Sequence, residues 1–445
     1  MFDLMIIGAG PGGYEAALHA ARKGKSVLLV EKEFIGGTCL NVGCIPTKTW
    51  LHAARLYTEA RQGALHGIRC SNVSFEMPAL QTRKNEVVKK LTGGVSQLLK
   101  TAKVTTVMGE AKILEKGKVR VKDQIYEGRN ILIATGSRPA LPPLPGIDTP
   151  SLLDSTSILA ITEIPSSLII IGAGIIGVEF ASFFAAIGTP VTIVEILDRI
   201  CPTLDKEIAS VLQRELEKQN VKFLLKSKVL QISGQKIELE QEGKKSTLTA
   251  ERILVATGRR PNLENLGLEE LKVDLTRSGI KVSNQGQTNI SGIWACGDVT
   301  GRCLLAHSAT REGQVAVNSM FGLKDEMRFQ TVPAVVYSYP EVASVGLTEE
   351  QAQEKALDYR VIKKPLQIAG RFSIEHEKGA GLCKILLGKR YGEILGIHLI
   401  GGHCSEMIWG AVTLMELECR DKEVKEIVFP HPTVSEAIKE TFMHA

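Results

Sequence analysis

The sequence predicts an α/β protein, and three observations carry that prediction. A strand, a glycine turn, a helix and a second strand ending in an acid occur twice, over residues 3–31 and 168–195. Each copy later reaches nearly the same phrase, Ala134-Thr135-Gly136-Ser137-Arg138-Pro139 in one and Ala256-Thr257-Gly258-Arg259-Arg260-Pro261 in the other. From about Thr331 onward, strands and short helices alternate without a glycine fingerprint, as expected of a separate α+β unit. At 445 residues the chain is too long for one core. The expected divisions are 1–145, 146–270, 271–331 and 332–445, the third returning to the first domain.

In the first copy, Asp3-Leu4-Met5-Ile6-Ile7 feeds Gly8-Ala9-Gly10-Pro11-Gly12-Gly13, the helical run Tyr14 to Ala21, and the strand Ser26 to Val30, which ends at Glu31. A glycine turn by itself can be purely structural, but the full context is that of a dinucleotide site. Gly8 makes the tight turn, Gly10 lets a pyrophosphate approach backbone N–H groups at the helix start, and Gly13 allows close helix–strand packing. Glu31 is placed to accept hydrogen bonds from a ribose. In the second copy Gly172, Gly174, Gly177 and Glu195 stand at the equivalent places, and first glycine and acid are again 23 residues apart, 8 to 31 and 172 to 195. The fold class is therefore two Rossmann-like dinucleotide-binding domains plus the C-terminal α+β unit.

The interval from first glycine to closing phrase is longer in the first copy (Gly8 to Gly136) than in the second (Gly172 to Gly258). The excess contains Gly36-Gly37-Thr38-Cys39-Leu40-Asn41-Val42-Gly43-Cys44-Ile45-Pro46-Thr47-Lys48, which reads as an insertion beside the first cofactor. In an ideal helix, positions five apart have Cα atoms about 8.6 Å apart, and a disulfide needs less than about 7 Å. If Cys39 and Cys44 pair, the helix must be distorted at Val42-Gly43, and such a bridge is of the reducible kind. Two thiolates without a further Cys/His pair do not complete a zinc site, so no metal is expected. Lys48 lies one helical turn beyond Cys44, on the same face, where a cation can hold a thiolate or a reduced cofactor. Helices are expected over roughly Thr49 to Gln62 and Met77 to Lys100, and the proline-studded Leu141 to Gly146 reads as an interdomain linker.

Charge separates the two cofactors. Glu195 favours a free 2′-hydroxyl, hence NAD, with Arg199 four residues on as the only hint of NADP. The first site must exchange electrons with both a nicotinamide and a thiol pair, and a flavin does so. Asp298, after the strand Gly292 to Ala295, is either a helix N-cap or a ligand of a ribityl hydroxyl. His431 stands between Pro430 and Pro432 with Glu436 five residues on, the base–orienter arrangement that proton transfer requires.

Composition narrows the rest. The chain is 44% hydrophobic and 23% charged, with net charge +5 and no basic run, so nucleic acid is not an expected partner. Nine cysteines without framework spacing point to a reducing compartment. The opening strand leaves no room for a targeting segment, and the apolar runs are too short for a membrane span, so a cytoplasmic protein is expected.

With these pieces together the sequence resembles the flavin-linked pyridine nucleotide–disulfide oxidoreductases over essentially its whole length. The likeness rests on the Gly8 and Gly172 fingerprints, Gly36 through Lys48, Glu195, Gly297-Asp298, Tyr339-Pro340-Glu341-Val342-Ala343 and His431 through Glu436. It implies FAD and NAD as cofactors and a homodimer whose active sites are shared between subunits, formed through the C-terminal dimerisation domain. Cys39 would exchange with the dithiol of dihydrolipoamide and Cys44 would face the flavin. His431, oriented by Glu436, would be the acid/base acting on the partner subunit's disulfide, and Lys48 would pair with Glu179 near the flavin. FAD contacts would include Glu31, Lys48, Ala111, the Thr135-Gly136-Ser137 phrase, Asp298 and Ala306. NAD contacts would include Gly172 to Gly177, Glu195, Val229 and Gly258. Lipoyl-bearing proteins of a 2-oxo acid dehydrogenase or glycine cleavage complex would be the partners. Relatives that reduce glutathione-type disulfides with NADPH usually carry Lys-Lys after the proline, where this chain has Thr47-Lys48.

Overall fold

The computed structural model describes residues 1–149, 152–376 and 379–445. Its first part comprises β1 (Phe2–Ile7), α1 (Pro11–Arg22), β2 (Val27–Glu31), α2 (Gly37–Val42), α3 (Cys44–Gln62), α4 (Met77–Thr101), β3 (Thr105–Met108), β4 (Ala111–Glu115), β5 (Lys118–Val121), β6 (Gln124–Ile133) and β7 (Ser137–Pro139). The second comprises β8 (Leu152–Asp154), β9 (Leu168–Ile171), α5 (Ile175–Ala186), β10 (Val191–Val194), α6 (Lys206–Lys218), β11 (Val221–Leu224), β12 (Ser227–Ser233), β13 (Lys236–Gln241), β14 (Lys244–Thr249), β15 (Arg252–Val255) and β16 (Arg259–Pro261). After β17 (Ile293–Ala295) and α7 (Ala306–Met320) come β18 (Ala334–Val336), β19 (Glu341–Gly346), α8 (Glu349–Glu354), β20 (Tyr359–Pro365), α9 (Gly370–Glu375), β21 (Leu382–Gly388), β22 (Ile394–Gly401), α10 (Cys404–Glu416), α11 (Asp421–Glu426) and α12 (Glu436–Met443).

The repeat seen in sequence is a repeat in space. Parallel sheets run β3-β2-β1-β6, with β17 beyond β6, and β11-β10-β9-β15-β8. β2 and β9 are buried at every residue, because helices cover one face of each parallel sheet and the unit's antiparallel meander covers the other, and this is why they read as unbroken apolar runs. Each unit also has a three-stranded antiparallel meander, β4-β5-β6 and β12-β13-β14. The long β6 serves both sheets of its unit: Gln124 to Glu127 pair with β5, and Gly128 to Ile133 pair with β1. The fifth parallel strand of the first unit, β17, arrives after the whole second unit, so the chain does return to the first domain. The C-terminal part is an antiparallel sheet, β18-β19-β22-β21-β20, with α10 against β19 and β22 and α12 against β20 and β21.

One expectation needs correction. The helix expected from Thr49 begins at Cys44, because Gly43 alone breaks the run and α3 resumes directly after it. The stretch Leu141 to Gly146 lies between the two units and is docked on the second: Pro145 accepts a hydrogen bond from the Ile232 amide at 2.8 Å, and a Cβ on Gly146 would lie 1.7 Å from the Ile232 carbonyl oxygen. Leu144 packs into the core beneath the second unit's meander.

The two closing phrases, matched in sequence, pair with each other: β7 and β16 form an antiparallel ribbon in register Ser137↔Pro261, Arg138↔Arg260 and Pro139↔Arg259. The redox insertion is tied to the second unit through aromatic packing. Trp50 of α3 is fully buried among Phe180, Phe183 and Phe184 of α5, its ring centroid 4.8 Å from that of Phe183. Aromatic contacts of this kind fix orientation as well as burying area. Lys48, half a turn before Trp50, is thereby carried to α5.

Candidate active site

The two glycine loops have the same geometry. The helices start at Gly10 (φ −71°, ψ −178°) and Gly174 (φ −70°, ψ 177°), and no side chain caps either first turn. Gly8 and Gly172 have φ of +104° and +107°, values that disfavour any side chain, and a Cβ on either would collide with the carbonyl of Ala134 or Ala256. A Cβ on Gly13 would lie 1.8 Å from the Gly8 carbonyl oxygen, and one on Gly177 2.1 Å from that of Gly172. The middle glycines differ: a Cβ on Gly10 meets its nearest neighbour at 3.9 Å and one on Gly174 meets nothing within 4 Å. Outer glycines are therefore required by the chain itself, and the middle ones leave open room in front of uncapped N–H groups, which fits a pyrophosphate.

The acids are matched as well. Glu31 Oε2 accepts the Ala9 amide at 2.7 Å and Oε1 the Glu33 amide at 2.8 Å. Glu195 Oε2 accepts the Ala173 amide at 2.6 Å and Oε1 the Leu197 amide at 2.9 Å. Each carboxylate braces its glycine loop and keeps lone pairs for ribose hydroxyls. Arg199 is engaged elsewhere, donating to the Pro202 carbonyl at 3.0 Å and lying 3.9 Å from Glu350.

The cysteine pair rests on the first glycine loop. Gly36 donates to the Ala9 carbonyl at 2.8 Å, and a Cβ on Gly37 would sit 2.6 Å from Gly10 Cα. Between Cys39 in α2 and Cys44 at the start of α3, Gly43 breaks the helix where the spacing argument requires, and a Cβ there would be 2.9 Å from the Thr38 carbonyl oxygen. Cys39 and Cys44 carry free thiols, each partly buried. The Cys44 thiol is held down, first by Cys39 and then by Lys48, against the opposing effect of burial. Cys39 is pushed up by its neighbour Cys44 and by burial. The reduced pair is thus polarised, with the charge on Cys44.

Lys48 Nζ is 2.7 Å from Glu179 Oε2, and the Lys48 side chain is 31% exposed against 4% for Glu179. Glu179 also accepts the Tyr337 amide at 2.9 Å, and Lys48 Nζ lies 4.7 Å from the centre of the Tyr337 ring. Burial would lower the ammonium, but the Glu179 carboxylate outweighs it and holds Lys48 up, so the cation stays charged.

Asp298 lies three residues after β17, in the first turn of the short helix Gly297–Thr300 whose N-cap is Cys296; it accepts a hydrogen bond from the Ser137 hydroxyl and lies 3.8 Å from Arg259 Nε. Burial raises its carboxyl, which Ser137 and Arg259 oppose. Thr135 and Asn262 exchange hydrogen bonds at 2.8 Å, and Gly136 and Gly258 have φ of +67° and +119° at the turns into the ribbon. Ala306 opens α7. Ala111 and Val229 lie in strands with their side chains buried in cores, so only their backbone is available to a cofactor. His431 Nδ1 is 2.9 Å from Glu436 Oε1, and Glu436 is lowered by the Thr433 amide and then by His431. His431 is 78% exposed, and among the described residues no hydrogen bond or ion pair brings it to the cysteines. Sequence reasoning missed Arg259, which donates to the Ser137 hydroxyl and carbonyl at 2.7 Å each, and Glu312, whose carboxylate accepts the Gly297 amide at 2.9 Å and the Ser308 hydroxyl at 2.8 Å. Arg259 stood within the repeated phrase, the one signal for it.

The family pattern described as pyridine nucleotide-disulphide oxidoreductase matches residues 2–313, and that family's dimerisation domain matches residues 332–442. The chain belongs to the pyridine nucleotide–disulphide oxidoreductases. Among relatives, it is 41% identical to dihydrolipoyl dehydrogenase 2, mitochondrial, of Arabidopsis thaliana, covering 99% of this chain and 90% of that one. It is 42% identical to dihydrolipoyl dehydrogenase 3 of Pseudomonas aeruginosa, covering 99% and 97%. The solved structure of LpdA from Mycobacterium tuberculosis superposes with a TM-score of 0.91 at 26% identity, covering 99% of both chains. That of the HOCl-induced flavoprotein disulfide reductase RclA from Escherichia coli, as its Cu(II) complex, has a TM-score of 0.88 at 30% identity and covers 100% of this chain and 99% of that one. As a pyridine nucleotide–disulphide oxidoreductase the protein uses FAD and NAD(H), and the two glycine loops with their braced acids fit these cofactors. No helix among the described residues is long and apolar enough to cross a membrane.

Proposed function

We propose that the protein is a dihydrolipoyl dehydrogenase, oxidising protein-bound dihydrolipoamide to lipoamide and reducing NAD⁺ to NADH. The observation that carries this reading is the polarised Cys39–Cys44 pair, seated on one glycine loop and linked through Lys48 and Glu179 to the helix of the other. The names of the relatives and their full-length identity support the substrate. Glu195 and the diverted Arg199 support NAD over NADP, since a 2′-phosphate would meet a carboxylate and no free arginine beside it.

In the oxidised enzyme a thiol of dihydrolipoamide loses its proton to His431, and the thiolate attacks Cys39 Sγ. The Cys39–Cys44 bond breaks, and Cys44 leaves as the thiolate for which its surroundings are suited. The second substrate thiolate attacks the mixed disulfide, releasing lipoamide and Cys39, which takes up a proton. To complete the turnover, Cys39 gives up its proton and re-forms its bond to Cys44 as the electron pair leaves; a bound FAD would supply the two-electron chemistry that passes this pair to NAD⁺. Glu436 holds the His431 ring, and Lys48 offsets negative charge beside Cys44. Gly8 to Gly13, Glu31, Lys48, Ala111, Thr135 to Ser137, Asp298 and Ala306 would hold FAD, while Gly172 to Gly177, Glu195, Val229 and Gly258 would hold NAD. The enzyme works as a homodimer in the cytoplasm and serves lipoyl-bearing proteins of a 2-oxo acid dehydrogenase or glycine cleavage complex. Domain divisions at about 145, 270 and 331 accompany this reading.

The test is an anaerobic assay of the flavin-loaded full chain with dihydrolipoamide and either NAD⁺ or NADP⁺. NADH formation with NAD⁺ strongly preferred is expected. A flavin-loaded protein that forms no NADH from dihydrolipoamide would overturn the substrate, and preference for NADP⁺ would overturn the coenzyme.

A further inference from the structure

Away from the cysteines, the C-terminal domain gathers a second set of metal-binding side chains. Glu375 ends α9, His376 follows it, and His403 immediately precedes α10, with one ligand atom from each lying within 4.8 Å of the others. His403 Nε2 is 2.6 Å from Glu375 Oε2, and the other Glu375 oxygen accepts a hydrogen bond from Arg371 Nε. The carboxylate is therefore ionised and aimed. His376 Nε2 is buried and has no hydrogen-bond partner among the described residues. A buried imidazole nitrogen is ordinarily satisfied, so one left open beside a His–Glu pair calls for a ligand. Gly402 packs against this ring, and a Cβ there would lie 2.1 Å from His376 Nε2, so no larger residue fits beside it.

The His376 ring is held by Phe372 at 5.1 Å between centroids. Two imidazoles and one carboxylate form a donor set for a borderline divalent cation, with the open position of a three-ligand zinc site. Arg371 would be its outer support.

We infer that Glu375, His376 and His403 bind a divalent transition-metal ion of the zinc type, tying the end of α9 to the start of α10. Binding would bring His376 into one coordination shell with the His403–Glu375 pair. No electron transfer is involved, and the inference is independent of the reaction at Cys39 and Cys44.

The experiment is calorimetric titration of chelator-treated, flavin-loaded protein with Zn²⁺, in a Cys39→Ser/Cys44→Ser background so that the reactive thiols cannot take the metal. One Zn²⁺ per chain with proton release and a raised melting temperature is expected. His376→Asn and His403→Ala should each remove saturable binding and the thermal shift. Arg371→Gln, which keeps all three ligands, should weaken binding about tenfold. His376→Asn is the substitution least able to disturb folding, since that ring makes no hydrogen bond through Nε2. Zn²⁺ binding that is absent in the parent, or unchanged in His376→Asn, would overturn the assignment.

Discussion

At the scale of the residue, the reduced site turns on one shared proton. Cys44 is held down first by Cys39 as a donor and then by Lys48. Removing the donor by Cys39→Ala should therefore raise the Cys44 pKa, and by at least about one unit if a hydrogen bond to a charged group is worth roughly 1.5–3 kcal/mol. Cys39→Ser keeps a donor and should recover part of the shift. The pH dependence of alkylation at Cys44, followed by peptide mass, measures both; a midpoint unchanged in Cys39→Ala would show that Lys48 alone governs the thiolate. His431 makes the opposite case, a polar residue with its orienter in place and no bond to a thiol among the described residues. His431→Gln should slow thiol–disulfide exchange about 10²- to 10⁴-fold while leaving flavin reduction by NADH nearly unchanged. Stopped-flow measurement of the two half-reactions decides, and equal slowing would remove His431 from proton transfer.

At the scale of the element, glycines that look equivalent in sequence do different work. Gly177→Ala drives a Cβ to 2.1 Å from the Gly172 carbonyl oxygen, whereas Gly174→Ala meets nothing in the chain within 4 Å. Gly177→Ala is expected to lower the melting temperature or abolish soluble expression. Gly174→Ala should leave melting unchanged and raise the KM for NAD⁺ tenfold or more, since a tenfold loss needs only about 1.4 kcal/mol of crowding at the pyrophosphate. A Gly174→Ala variant with native KM would put the nucleotide elsewhere. This difference also marks what was legible beforehand. The fingerprints, the acids at 31 and 195 and the break at Gly43 could be read because their constraints act within a few turns of chain. The β7–β16 ribbon could not, although its two phrases were visible, because nothing in either states that it pairs with the other. Nor could the buried Lys384, held by Asp205 at 2.9 Å and Glu349 at 2.7 Å between the second unit and the C-terminal domain: each is an ordinary charged residue until the fold removes its water. The docking of the Leu141 to Gly146 connection was hidden for the same reason, since proline-rich composition does not reveal a contact at Ile232.

At the scale of the whole molecule, no hydrogen bond or ion pair among the described residues joins His431 to Cys39 or Cys44. His431 is 78% exposed at the surface of a domain that also exposes Trp409 at 70% and Val428 at 88%, in the segment matching the family's dimerisation domain. A two-fold dimer would bury apolar surface of this kind and, by symmetry, bring each His431 to the other subunit's Cys39. Subunit mixing tests this directly. A Cys44→Ser homodimer lacks the thiol at both sites, and a His431→Gln homodimer lacks the base at both, so neither should oxidise dihydrolipoamide at an appreciable rate. In the mixed dimer one site inherits both defects and the other inherits neither. Random pairing makes half the dimers mixed, each with one intact site of two, so co-refolded or co-expressed subunits should recover about a quarter of the wild-type rate. If each chain used its own His431, every site in every combination would carry one defect, and mixing would restore nothing.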